Sequence, residues 1–181
     1  NSTCPDTQLV KQVDGPRTDV SDVVNIAYYG TTDVSGCALA TGNCYRRGDR
    51  KQVTNALGQS ITFLRYDAAG RVTKASDANN VIAEMSYHPR GWLLQQIVRG
   101  PDDAVITDDQ ITDYLYDARG NPTKLTMPDG NYVDLVYDNR DRTTEVRAQN
   151  GYRLIYSYDS ANNVQTTEAY VGVGNTLANR R

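Results

Sequence analysis

The sequence has few of the side chains on which catalytic and metal sites depend. Its 181 residues include one His, one Trp, one Phe and three Cys. A structural zinc site needs four ligands, usually Cys and His, so the single His88 makes zinc improbable. A Ser-His-Asp triad would also have to use His88, which stands beside Pro89 in a turn-like stretch. We therefore expect a chain that is not an enzyme, with no catalytic residue, metal or cofactor.

Long apolar runs and basic clusters are also missing. No apolar stretch approaches the length of a membrane span, and no Lys/Arg run exceeds two residues. The formal net charge is −3, which disfavours phosphate binding. The sequence predicts no membrane span and no nucleic-acid partner.

The cysteines number three, an odd count. Cys37 and Cys44 could close a short loop, and a disulfide there would stabilise the fold by roughly 2–3 kcal/mol. Two reduced thiols in a loop is an equal alternative. The residues alone do not decide between them.

Tyrosine, in contrast, is abundant, with 13 copies. Five of them begin a short motif in which Asp, or a substitute, is followed by a tight-turn signal. The steps between these tyrosines, by subtraction, are 21, 29, 21 and 21 residues, and a fixed period near 20 indicates a repeat architecture. The repeat-motif residues are Tyr66, Asp67, Gly70, Tyr87, Gly91, Tyr116, Asp117, Gly120, Tyr137, Asp138, Tyr158 and Asp159.

Each copy predicts two strands and two turns. A large, mostly apolar residue precedes each repeat tyrosine by two positions, which places both on one face of a strand and predicts a buried stripe. The Asp caps a type I turn, and Gly three residues later accepts positive φ. Asp141 and Asn162 replace that Gly, so we expect looser turns there.

The hairpins predict an all-β fold: repeated antiparallel β-hairpins in one continuous, twisted or spiralling sheet. Residues 1–50 form a loop-rich lead-in with degenerate strands, 51–170 the hairpin array, and 171–181 a tail or the start of the next repeat. The longest step contains an insertion near 100–110, expected as a surface loop.

The copies Tyr66-Asp67-Ala68-Ala69-Gly70-Arg71 and Tyr116-Asp117-Ala118-Arg119-Gly120-Asn121 resemble the Rhs/YD-repeat family, and the likeness covers about 52–167. This resemblance implies a segment of a hollow shell, as in bacterial polymorphic toxins, wall-associated Rhs proteins, toxin complexes and animal teneurin-type barrels. It implies a secreted or cell-surface location. The implied partners are the rest of the parent protein and a C-terminal toxin domain, which the shell encloses and helps to deliver.

Two readings of the function remain open. The first is a non-enzymatic shell segment. The second is a cell-surface module that binds glycan or protein, with Trp92 as the recognition residue. An array with free edge strands also predicts self-association through those edges.

Overall fold

A computed structural model describes residues 9–39, 42–101, 105–172 and 176–180, which form strands, turns and loops. The strands are β1 (Gln12–Val13), β2 (Val24–Tyr28), β3 (Arg50–Thr54), β4 (Ser60–Tyr66), β5 (Val72–Ser76), β6 (Ile82–Tyr87), β7 (Leu93–Val98), β8 (Gln110–Tyr116), β9 (Pro122–Thr126), β10 (Tyr132–Tyr137), β11 (Thr143–Ala148), β12 (Arg153–Tyr158), β13 (Val164–Val171) and β14 (Thr176–Arg180).

The strands form one sheet whose order follows the chain from β1 to β14, and the sheet does not close on itself. Successive strands pair antiparallel, as in β8 with β9, β9 with β10 and β10 with β11. Consecutive pairing of this kind is the product of hairpins joined end to end. The predicted all-β class and antiparallel hairpin array are confirmed.

Most of the described hairpins close through a short turn whose fourth residue lies in the left-handed region and donates its amide to the carbonyl three residues earlier. The φ angle is +80° at Gly70 and +100° at Gly120, and Asp141 and Asn162 reach +62° and +71°. The amides of Gly120, Asp141 and Asn162 each donate to the carbonyl three residues earlier over 3.2 Å. The same bond is 3.0 Å at Gly70 and 2.7 Å at Gly91, so the looser turns expected at Asp141 and Asn162 remain a prediction.

A β-bulge accompanies the repeat tyrosines. The pairing register shifts at Tyr66, Tyr116, Tyr137 and Tyr158, and again at Tyr28. A bulge increases the local twist of a strand pair and re-aims the side chain beside it. The repeat tyrosines thus sit where their strands bend.

The chain divides into two compact units, one formed by Asn1–Met85 with Val98–Asp108 and the other by Ser86–Ile97 with Asp109–Arg181. In the first, the repeat tyrosine is Tyr66, and cross-strand pairs such as Lys74 with Glu84 hold β5 to β6. The second contains the other four repeat tyrosines. The boundaries predicted at 50 and 170 remain a prediction.

The second unit has one apolar and one charged face. Leu135, Val146 and Leu154 stand opposite one another on neighbouring strands, so they share a face. On the other face, Lys124 lies 3.5 Å from Asp134, and Arg153 lies 3.5 Å from Glu145. We call these the apolar face and the charged face.

Burial is lower than the predicted stripe suggested. Among the described residues only Cys44 and Tyr66 have buried apolar side chains, at 2% and 6% exposure. Tyr87, Tyr116, Tyr137 and Tyr158 are half-buried. A single layer of sheet leaves both faces in contact with solvent, because no second layer packs on either within the described residues.

The insertion falls between the end of β7 at Val98 and the start of β8 at Gln110. Residues 102–104 of this insertion, among them Asp102 and Asp103, lie outside the described residues. β14 lies within 171–181, the segment predicted as a tail or the start of a further repeat.

Candidate functional site: the row of aspartate turns

The repeat tyrosines tie neighbouring strands together through their hydroxyls. In four of the copies, the phenol donates to the backbone carbonyl at the start of the preceding strand. The bonds are Tyr66 Oη to Arg50 O at 2.5 Å, Tyr116 to Leu93 at 2.8 Å, Tyr137 to Pro122 at 2.9 Å, and Tyr158 to Thr143 at 2.6 Å. Tyr28 repeats the pattern, donating to Val10 O at 2.7 Å. The ring packs on the sheet while the hydroxyl satisfies a carbonyl at the strand end.

The aspartates organise the turns from inside. We number the turn positions from 1 at the Asp to 5 at the residue after the Gly. Asp117 at position 1 accepts backbone hydrogen bonds from Arg119, Gly120 and Asn121, each at 2.9 Å. Asp67, Asp138 and Asp159 accept equivalent bonds from the amides at positions 3 and 5. A carboxylate that fixes these amides stabilises the turn.

Position 5 pairs with position 1 of the same turn. Arg71 contacts Asp67 at 2.6 Å, and Arg142 contacts Asp138 at 2.7 Å. Asn121 and Asn163 make the same link to their aspartates, both at 3.0 Å. In the second copy the pair is His88 and Trp92, whose rings stack 4.7 Å apart.

These contacts change the acidity of the turn carboxyls. At Asp138, desolvation opposes ionisation, but the hydrogen bonds from Arg142 and from the turn amides outweigh it, so its pKa falls to about 2. The backbone bond from Asn121 is the main cause of the lowered pKa of Asp117. The amide side chain of Asn163 plays the main part in lowering the pKa of Asp159. The row is therefore fully ionised at neutral pH.

Position 5 also contacts position 4 of the next turn. The Asn121 amide donates to Asp141 at 2.7 Å, and the Arg142 guanidinium donates to Asn162 at 2.9 Å. Trp92 instead fills the space beside Gly120, where an added Cβ would lie 2.7 Å from the indole ring. This explains why Asp141 and Asn162 replace Gly: both tolerate positive φ and both accept a hydrogen bond from the preceding turn.

Exposed arginines at position 3 form a second link between turns. Arg90 donates to the carbonyl of Ala118 at 2.7 Å, and Arg119 donates to the carbonyls of Asn139 and Asp138 at 3.3 and 3.2 Å. Arg119 also lies 3.1 Å from the Asp141 carboxylate. Each guanidinium thus reaches the next turn along the row.

Trp92 lies in an aromatic cluster rather than on an open surface. Its ring is 5.4 Å from Tyr116, stacks on His88, and has the Arg90 guanidinium 5.5 Å from its centroid. With Leu94 and Tyr114 these residues line an open groove of about 440 Å³. The residue is half-buried, so part of the indole remains accessible.

Cys37 and Cys44 are joined in a disulfide that closes a loop between β2 and β3. The loop is fastened to the end of β4: Tyr66 N donates to Cys44 O at 2.7 Å, and Arg65 donates to the carbonyls of Gly36, at 2.7 Å, and Leu39. Burial raises the pKa of Tyr66 to about 12, so its hydroxyl remains a donor at neutral pH. The disulfide loop is therefore anchored to the strand end that leads into the first turn of the row.

The described residues contain no cluster of three or more His, Cys, Asp or Glu side chains placed to hold a metal ion. Nor does the described part of the chain form any helix with the length and apolarity to cross a membrane. The chemistry of the turn row is structural: its carboxylates, amides and guanidiniums are paired with one another and with the backbone.

A continuous sheet of hairpins, tied turn to turn by tyrosine, aspartate and arginine, defines the class of tyrosine–aspartate repeat shell proteins. The family model for the teneurin YD-shell matches residues 44–177, and the chain belongs to this family. The resemblance drawn from the Tyr-Asp motifs is confirmed. The chain is a structural segment of such a shell. A search of curated protein sequences finds no match.

Solved structures that share the fold come from Tc toxins. A TcdB2-TccC3 structure without the hypervariable C-terminal region matches with a TM-score of 0.60 at 19% identity, over 88% of this chain and 8% of that chain. TcdB2-TccC3-Cdc42 matches with a TM-score of 0.57 at 14% identity, over 86% and 9%. A Tc holotoxin pore of Photorhabdus luminescens with mutated TccC3 gives 0.53 at 16%, over 86% and 11%. This chain spans about a tenth of the length of those chains.

The contacts between turns were missed by sequence reasoning. The sequence shows Arg or Asn at position 5 of most motifs. A single copy does not show that these side chains contact position 4 of the next copy, about 20 residues further along the chain. The available signal was the pairing of position 5 in one copy with position 4 in the next copy. Trp92 is followed by Gly120, Asn121 by Asp141 and Arg142 by Asn162, although Arg71 is followed by Gly91.

Proposed function

We propose that this chain is a non-enzymatic wall segment of a hollow Rhs/YD shell. In this proposal, the shell encloses a C-terminal toxin domain and helps to deliver it, within a large secreted or surface bacterial protein. The observation that carries the proposal is the single sheet of hairpins tied to their neighbours, in which only Cys44 and Tyr66 among the described residues have buried apolar side chains.

A wall needs cohesion along its length rather than a central core. Here four repeats contribute a tyrosine hydroxyl to the strand before them, and position 3 or position 5 links successive turns. In such a repeat array, stability is approximately a sum of repeat and neighbour terms. This design can extend to any length without a thicker core.

The two faces of the sheet also suit a wall. The apolar face carries half-buried Leu135 and Val146, while the charged face carries paired ions such as Lys124 and Asp134. Enclosure requires that one face of the sheet lines a closed space and that the other face is exposed to solvent. An open binding module would leave both faces accessible.

The test places a single cysteine on each face of the parent protein, in a Cys4→Ser background that keeps the Cys37–Cys44 disulfide. Leu135→Cys reports on the apolar face, and its matched neighbour Val136→Cys, at a site 43% exposed, reports on the charged face. Both are treated with a small maleimide and with a polymer-linked maleimide too large to enter a shell. We expect one face in the parent protein to react only with the small reagent. Equal reaction of both faces with the large reagent would contradict enclosure.

The second candidate is recognition of cell-surface glycan or protein at the Trp92 groove. It is favoured by one observation, the accessible aromatic lining formed by Trp92, Tyr114 and Tyr116. Aromatic faces bind sugar rings and peptide side chains through stacking and apolar contact. A glycan array and a cell-binding assay test it. Saturable binding that is lost in Trp92→Ala and retained in Trp92→Phe would support recognition, and no binding above background would reject it.

The two ends of the sheet extend the proposal to self-association. β1 and β14 each have a strand neighbour on one side only within the described chain. Unpaired strand edges pair with other chains. Light scattering of the 181-residue chain should show mass that rises with concentration, and a monomer at every concentration would contradict this.

A further inference from the structure

Asn163, at position 5 of the last aspartate turn, uses only one of the two hydrogens on its side-chain amide nitrogen. The Asn163 amide nitrogen donates to Asp159 at 3.0 Å, the same distance as from Asn121 to Asp117. An amide nitrogen has two hydrogens. Asn121 uses its second on Asp141, whereas Asn163 is exposed and has no second acceptor among the described residues.

β14 lies next to this turn in the order of the sheet. It pairs with β13 through registers such as Glu168 with Arg180, and its other edge has no strand partner in the described part of the chain. β14 runs in the same direction as β8, β10 and β12, each of which leads into an aspartate turn. A turn placed after β14 would therefore stand beside Asp159–Asn163, as the turn after β10 stands beside Asp117–Asn121.

We propose that Asn163 and the free edge of β14 form a docking surface for one further hairpin of this family, and that Asn163 selects a hairpin with Asp at turn position 4. The occupant is a turn that follows β14 and a return strand that pairs with its free edge. This rests on the proposed function, because a wall segment continues into further hairpins.

The selection follows from the three contacts already in the structure. Trp92 faces Gly120 because only a residue without Cβ leaves room for the indole. Arg142, whose guanidinium can only donate, faces the side-chain amide oxygen of Asn162. Asn121 faces the carboxylate of Asp141, and Asn163 has the same side chain and the same bond to its own aspartate. A carboxylate is the acceptor that matches it most strongly.

The test extends the full chain by its own turn and return strand. A second copy of residues 134–148 is fused after Arg181, because Glu168 pairs with Arg180 as the register of β9 with β10 requires for a copy that begins at Asp134. The copied Asp141 then becomes position 4 of the new turn. Four proteins are compared: the extension with that Asp or with Gly in its place, each with Asn163 or Asn163→Ala. Gly keeps the positive φ and removes only the acceptor. Amide hydrogen exchange is measured in β14 and in residues 159–163.

We expect the extension with Asp to slow exchange in β14, and either change to lose roughly threefold to tenfold of that protection. The two changes together should cost no more than Asn163→Ala alone, because that substitution already removes the bond that the change of Asp to Gly breaks. Asn121→Ala and Asp141→Gly in the unextended chain provide the matched control pair.

Coupling in the control pair without coupling in the extended pair would overturn the docking proposal. Equal protection by the Asp and Gly extensions would overturn the selection by Asn163. Either result leaves the wall proposal standing, because that proposal is tested separately by the cysteine-labelling experiment. The two failures are therefore distinguishable.

Discussion

Removing one hydroxyl, with Tyr66→Phe, tests whether the repeat tyrosines hold neighbouring strands together. The Tyr66 hydroxyl lies 2.5 Å from Arg50 O, and the residue is 6% exposed. Loss of the donor leaves a carbonyl without its partner in a site that water reaches poorly, which costs about 1–3 kcal/mol. Tyr137→Phe breaks the same bond where it is exposed, so water replaces the hydroxyl and the cost is about 0.5 kcal/mol.

The assay is urea unfolding of the 181-residue chain, with hydrogen exchange in β3 as a local readout. Tyr152→Phe is the matched control, because Tyr152 is 54% exposed and outside the repeat pattern. We expect the loss of stability to rank Tyr66→Phe above Tyr137→Phe, with Tyr152→Phe unchanged. Equal effects of all three substitutions would refute the role of the hydroxyl in tying strands together.

Three further predictions concern the turns and the loop. Gly120→Ala and Gly70→Ala both place a side chain at a positive φ, but only the Cβ at position 120 would clash with the Trp92 ring. We expect thermal unfolding to show that Gly120→Ala lowers the free energy of unfolding by about 1–3 kcal/mol more than Gly70→Ala does. Equal losses in the two variants would contradict the clash. The lowered pKa values of Asp67, Asp117, Asp138 and Asp159 mean that these carboxylates stabilise the folded state above about pH 4 and lose that contribution as pH falls through the folded pKa, about 2 for Asp138. Circular dichroism between pH 5 and pH 2 should show this loss of stability, and the loss should be smaller in Asp138→Asn. An acid transition that is the same in Asp138→Asn and in the unchanged chain would contradict the prediction. Reduction of the Cys37–Cys44 disulfide should speed hydrogen exchange at the Tyr66 amide, which donates to Cys44 O, and Cys37→Ser should reproduce the effect. Equal exchange rates of this amide in the oxidised and reduced protein would show that the loop keeps its structure without the disulfide.

The hairpin array was readable from the sequence because its signals are local. Tyrosine spacing, β-forming residues before each tyrosine and a positive-φ residue after each Asp all act within one copy. These signals placed β8, β9 and β10 and the turns between them.

The burial and the contacts between copies were not readable in the same way. Alternating apolar residues predict a face, but they do not say whether a second layer covers it, so the half-burial of Tyr116 and Tyr137 was missed. The bond from Asn121 to Asp141 depends on two turns standing side by side, 20 residues apart in the chain. Local propensity carries no information on such a contact.

The central claim is that this segment is part of a shell wall, and a cryo-electron microscopy map of the parent protein tests it most directly. The account predicts density for β2 to β14 as one layer of hairpins, with one face toward an enclosed space and further hairpins continuing at β14. A map in which these residues fold apart from the shell, as a separate compact domain with both faces in solvent, would contradict it.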